Sequence, residues 1–164
     1  MNFSNRLMAT TVAGLSILYL STAVWASIIT NTPGAACVAT AGSSLSVRLD
    51  GESENLGTGT VTAVCPAERP IGAGQTTLVS GTVFVVDRNP STNVCCHVVS
   101  KNTGGAIVQS APVCSAGSST ATQSLALAQI SDPYSFSSYL VQCDVPGTSA
   151  GAASRIQMYR TTQD

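Results

Sequence analysis

The chain has 164 residues, seven Lys and Arg against eight Asp and Glu, and a formal net charge of −1. With only 9% of residues charged and the positive ones scattered, it has no basic patch to grip a phosphate backbone, which excludes nucleic-acid binding. Small side chains such as Ser, Thr, Gly and Ala must cover its surface, a composition common in extracellular β proteins.

The first 26 residues read as a signal peptide. Arg6 supplies the positive start, Leu7 to Tyr19 is mostly apolar, and Val24 and Ala26 stand where a signal peptidase reads small residues. The apolar run is shorter than the roughly 20 residues a membrane span needs, so cleavage after Ala26 leaves no membrane span. Residues 27–164 are then expected to form a single secreted or periplasmic domain, large enough to bury a core.

In chain order, a linker from Asn31 to Ala36 precedes Ser44 to Leu49, whose alternation predicts a strand with one wet face. Asp50 to Asn55 reads as an acidic turn, Thr58 to Val64 as a second strand ending at Cys65, and Ala67 to Gln75 as a loop kept out of the sheet by Pro and Gly. Thr76 to Asp87, Val94 to Ser100 and Ala106 to Val113 are apolar, β-branched runs separated by turn residues, the pattern of a β-meander. Thr122 to Ile130 fits either a bulged strand or a short helix. Ser131 to Tyr134 is a turn, and Ser137 to Cys143 and Ser154 to Arg160 are the last strands. About eight strands at roughly 8–12-residue spacing predict an all-β, antiparallel sandwich or jelly roll.

All six cysteines lie beyond the leader, and an even number in an oxidising compartment predicts disulfides. Neighbours on a strand face opposite ways, so Cys95 and Cys96 must serve different partners. Cys96, in the layer of Val94 and Val98, is expected to pair with Cys143. Cys95 then reaches Cys114 on the following strand, which leaves Cys37 with Cys65. Finger-like metal spacing is absent, and Cys95, Cys96 and His97 lack the intervening residues of a haem attachment site, so no cofactor is expected. Cys37, the run Val64 to Pro66 with Arg69 following, Val94 and Cys96 ahead of a turn at Ser100 to Gly104, Cys143 with Pro146, and the closing Ile156, Tyr159 and Arg160 together resemble a loose group of small exported bacterial proteins without an assigned activity. The resemblance implies a disulfide-bonded β-sandwich and supplies no catalytic residue. Cys95 and Cys114 stand outside its four-cysteine pattern, which favours their pairing with each other.

Five groups of residues carry the elements of a chemical site. Gly147 to Gly151 matches G-x-S-x-G, but a nucleophile elbow needs a helix after Ser149 and a later histidine, whereas His97 is the sole histidine and precedes it. His97 beside Cys95 and Cys96 faces away from its neighbours, and both thiols are committed to disulfides. Asp50, Glu52 and Glu54 crowd one turn and are a candidate calcium or ligand site, calcium wanting about six to eight oxygen ligands. Asp87 with Asp144 or Asp132 makes a glycosidase pair only if the fold unites them. Tyr134, Phe136 and Tyr139 are a candidate sugar-stacking cluster. The leading expectation is a non-enzymatic structural or interaction protein of the envelope or extracellular space. A glycan- or calcium-dependent binding module is the alternative, and a small hydrolase comes last. The partner is an unidentified protein or glycan, and low surface charge permits homo-oligomers through open sheet edges.

Overall fold

The computed structural model describes residues 27–69 and 77–164; the signal-peptide reading and most of the Ala67 to Gln75 loop lie outside them. Twelve strands are present among the described residues: β1 (Ile28–Pro33), β2 (Val38–Ala39), β3 (Ser46–Val47), β4 (Ser53–Glu54), β5 (Val61–Ala67), β6 (Thr77–Val86), β7 (Cys95–Asn102), β8 (Ile107–Gln109), β9 (Val113–Cys114), β10 (Gln123–Asp132), β11 (Ser137–Val145) and β12 (Arg155–Gln163). They form two antiparallel six-stranded sheets packed face to face. The first runs β10-β6-β12-β4-β3, with β1 also on β12; the second runs β2-β5-β11-β7-β8, with β9 also on β7. The expected antiparallel sandwich is therefore the fold. Among the described residues no helix is long and apolar enough to cross a membrane.

Alternation builds the core. Val79, Val83 and Val85 of β6, Leu125, Leu127 and Ile130 of β10 and Ile156 and Tyr159 of β12 point inward from the first sheet. Ala63, Cys65, Cys96, Val98, Tyr139, Val141, Cys143 and Val145 meet them from the second. Each fully buried valine of this set contributes about 1.5–3 kcal/mol by leaving water.

Two expectations are corrected. The β-meander does not form as drawn, because β6 belongs to the first sheet and β7 to the second. The chain between them crosses the sandwich at Asp87, which is fully buried, and only β7 with β8 and β9 pairs as expected. The supposed linker from Asn31 is also strand: β1 pairs with β12 from Ile28–Gln163 to Pro33–Met158. The chain then passes from first sheet to second through a 3₁₀ turn at Gly34–Ala36, where a Cβ on Gly34 would lie 2.0 Å from the Ile156 carbonyl oxygen, so only glycine fits. The ambiguous Thr122 to Ile130 stretch is strand, with the bulge falling between Leu127 and Ile130.

The three disulfides are Cys37–Cys65, Cys95–Cys114 and Cys96–Cys143, the expected pairs. Cys95 faces Cys114 and Cys96 faces Cys143 across adjacent strands, while Cys37 immediately precedes the Val38–Val64 pair. All three bridges therefore stitch the second sheet, and none joins it to the first.

Polar clasps supplement the core between the sheets. Tyr159 Oη donates to the Pro66 carbonyl at 2.5 Å, and Tyr139 Oη to Asp132 Oδ2 at 2.8 Å. Desolvation pushes the Asp132 carboxyl up, but donation from Ser137 Oγ at 2.5 Å, the Tyr134 N–H at 3.0 Å and Tyr139 outweighs it and holds the group below its ordinary 3.8. A depressed folded value means that this contribution is complete above the unfolded value and is lost as pH falls through the folded one. Acid titration of stability should accordingly show a loss below pH 3.8 that Asp132→Asn removes, measured by denaturant midpoints across that range.

Candidate functional site

The outer face of the first sheet carries a groove of about 480 Å³. Its floor follows from strand alternation: Val83 and Val85 enter the core, so Phe84 between them faces out, half-buried. Phe84 pairs with Met158 of β12, and Met158 with Pro33 of β1, which sets three apolar side chains in a row across adjacent strands. A bulge between Ile156 and Met158 adds Gln157 to the same face.

The walls are polar. On one side the β3–β4 hairpin presents Asp50 and Glu52; on the other stands Thr122, just ahead of β10. Gln157 spans the groove, donating from Nε2 to Glu52 Oε1 at 2.8 Å and accepting from Thr122 Oγ1 at 2.7 Å. At the far margin, Arg160 Nε donates to Asn31 Oδ1 at 2.8 Å.

The acidic turn is thus half of a hairpin whose carboxylates face guanidinium groups. Arg48 Nε donates to Asp50 Oδ2 at 3.3 Å and Nη1 to Glu54 Oε2 at 3.2 Å. Arg155 Nε lies 2.7 Å from Glu52 Oε2, but its N–H does not point at that oxygen, so the contact is coulombic rather than a hydrogen bond. For Asp50, the upward push of desolvation is outweighed by the Glu52 N–H and Arg48, which hold it below 3.8. Among the described residues no group of three or more His, Cys, Asp or Glu is arranged to hold a metal. With their negative charge met by arginine, the acids should be indifferent to calcium: millimolar calcium and a chelator are expected to give melting temperatures within about 1 °C.

Other sequence candidates fall elsewhere. Tyr134 is at the opposite end of the sandwich from the hairpin, its N–H on Asp132 and its carbonyl accepting from Arg69 Nη2 at 2.8 Å. Phe136 is 77% exposed while Tyr139 is 2% exposed, so the three aromatics do not make one platform. Asp87 follows the end of β6 and Asp132 pairs with its start, which separates them by the length of that strand; Asp144 is exposed on the second sheet. His97 is half-buried on the outer face of the second sheet, its basicity lowered by desolvation and partly restored by Asp144. Ser149 sits in a tight hairpin turn, exchanging backbone hydrogen bonds with Ala152 at 3.0 and 2.9 Å around Ala150 and Gly151, both at positive φ, with no helix following. Of the ligand candidates expected from the sequence, the groove gathers Asp50 and Glu52. Glu54 lies behind them on Arg48, and Phe84, Gln157 and Met158 complete the site without having been singled out. The signal for Phe84 was present: it is the one aromatic in an outward position of the long Thr76 to Asp87 run.

Fold and site together define a class, a disulfide-bonded antiparallel β-sandwich with an apolar-floored, polar-walled groove on one outer face. No protein-family model matches the chain, and no curated protein matches it in sequence. Among solved structures it is similar to the xylan-binding module CBM15, at TM-score 0.50 and 15% identity over 84% of this chain and 97% of that one. It is also similar to the CBM36-1 domain of a multidomain xylanase from the hindgut metagenome of Trinervitermes trinervoides, at TM-score 0.41 and 14% identity over 82% and 96% of the two chains. A family two carbohydrate esterase from Cellvibrio japonicus aligns at TM-score 0.45 and 11% identity, covering 85% of this chain and 35% of that one, so the chain spans about a third of the esterase's length. At these identities the likeness to CBM15 shows a shared fold.

Proposed function

We propose that the chain is an extracellular, non-catalytic module that binds a glycan in the groove over Phe84. One observation carries the reading: Pro33, Met158 and Phe84 form a narrow apolar floor between walls of carboxylate, amide and hydroxyl groups. A pyranose ring has the matching chemistry, with apolar C–H faces that stack on an aromatic and equatorial hydroxyls that hydrogen-bond at the rim. Around the groove, Arg48, Arg155 and Arg160 offset Asp50, Glu52 and Glu54, which favours an uncharged polysaccharide over an anionic one. Export is supported by three disulfides, which persist in oxidising compartments.

The test is affinity electrophoresis through gels containing neutral polysaccharides, with the Phe84→Ala variant alongside. The wild type should be retarded by at least one neutral polymer. Loss of one stacking partner, about 1–2 kcal/mol, should weaken binding roughly tenfold while the circular-dichroism spectrum stays unchanged. No retardation by any polymer would return the protein to a purely structural or interaction role.

A further inference from the structure

The second sheet carries a feature independent of the glycan groove, which lies on the other face of the sandwich. Cys37, Cys65, Cys96 and Cys143 are 0–3% exposed, whereas Cys114 is exposed and Cys95 half-buried on the outer face. One bridge of the three is therefore open to reagents in water. It also closes the edge of the sheet, where β9 contributes two residues to β7.

The flanks of that bridge are held without it. Upstream, Ser110 N donates to the Val98 carbonyl at 3.0 Å, and Val98 N to Ser110 Oγ at 3.1 Å. Downstream, Ser115 N donates to the Val94 carbonyl at 2.9 Å, Val94 N to Ser115 Oγ at 2.9 Å, and Ser115 Oγ to buried Asp87 at 2.5 Å. Opening the disulfide leaves Cys114 tethered on both sides and Cys95 fixed in β7, so the sulfurs stay close enough to close again.

From this accessibility and this tethering we propose that Cys95–Cys114 is a reversible thiol–disulfide exchange site for low-molecular-weight thiols. A thiolate attacks the exposed Cys114 Sγ; the new S–S bond forms as the bond to Cys95 breaks, and Cys95 departs as a thiolate that takes a proton from water. A second thiol attacks the mixed disulfide, releases the oxidised small-molecule disulfide and leaves Cys114 reduced, so two thiols have supplied two electrons. Asp144 stands directly opposite Cys95 on β11, where its negative charge disfavours both the incoming and the departing thiolate.

Native protein is incubated with glutathione, quenched with iodoacetamide and mapped by peptide mass. The expected result is a glutathione adduct on Cys114 and alkylation at Cys95, with Cys37, Cys65, Cys96 and Cys143 still oxidised and the strand signal in circular dichroism retained. Asp144→Asn should react about fourfold faster, the effect of removing one exposed neighbouring charge. Absence of any modification under native conditions overturns the proposal, and so does simultaneous modification of all six cysteines with loss of the strand signal. Equal rates in wild type and Asp144→Asn would also count against attack at this pair.

Discussion

Replacing Asp87 with alanine is expected to destabilise the protein by about 3–5 kcal/mol, a loss read from the urea midpoint at constant slope. Asp87 is fully buried and accepts hydrogen bonds from Ser115 Oγ at 2.5 Å, Ser154 Oγ at 3.0 Å, Asn89 N at 3.0 Å and Val94 N at 3.2 Å. Those donors come from the end of β9, the approach to β12 and the corner between β6 and β7, so one carboxyl group organises a whole end of the sandwich. Alanine leaves several buried donors facing a cavity, and an unmade buried hydrogen bond costs about 1–3 kcal/mol. Asp87→Asn keeps the shape and one acceptor oxygen and should lose roughly half as much. If Asp87→Ala cost less than about 1 kcal/mol, the corner would be held by other contacts.

The paired change Cys96→Ala with Cys143→Ala should cost about 4 kcal/mol, and Cys95→Ala with Cys114→Ala about 3 kcal/mol, on the loop-closure estimate. Their sequence separations of 47 and 19 residues set that order. Burial widens the gap, because Cys96 and Cys143 are 0% exposed and their removal also opens a void between the sheets, while Cys114 is exposed. For a domain of this size the first pair should lower the melting temperature by about 15 °C, measured by calorimetry, and the second by less. Equal losses would mean that neither the longer loop nor the core packing of the inner bridge adds to its stabilisation.

How much could be read without coordinates varies by element. The disulfides were legible because adjacent strand residues face opposite ways, which gives Cys95 and Cys96 different partners; Cys114 closes the next long apolar run, Cys143 the late strand, and Cys37 and Cys65 are the pair that remains. The meander was misread because apolar runs joined by turn residues look the same whether the chain doubles back in one sheet or arches across to another. What selects the arch is Asp87, whose partners Ser115 and Ser154 are distant in sequence and meet only in the folded chain. β1 was missed because Asn31 and Pro33 read as linker residues, yet a strand tolerates proline at its last position on an edge.

The groove shows the same division. Asp50 and Glu52 drew notice as an acidic cluster, a local pattern, but their arginine partners include Arg155, and their neighbours in the groove are Phe84 and Gln157. Those come from three segments that only strand pairing brings side by side. Tyr134 shared the aromatic signature and was carried to the other end, because β10 and β11 meet there through Asp132.

Alternation, turn chemistry and cysteine parity are properties of neighbouring residues, so the chain alone determined that this is a disulfide-bonded antiparallel sandwich and which thiols join. Pairing order between strands far apart in sequence depends on the packing of whole faces and on buried polar groups finding distant partners. Tertiary structure alone therefore decided that every bridge lies in one sheet, that the chain crosses at Asp87, and that a groove opens over Phe84.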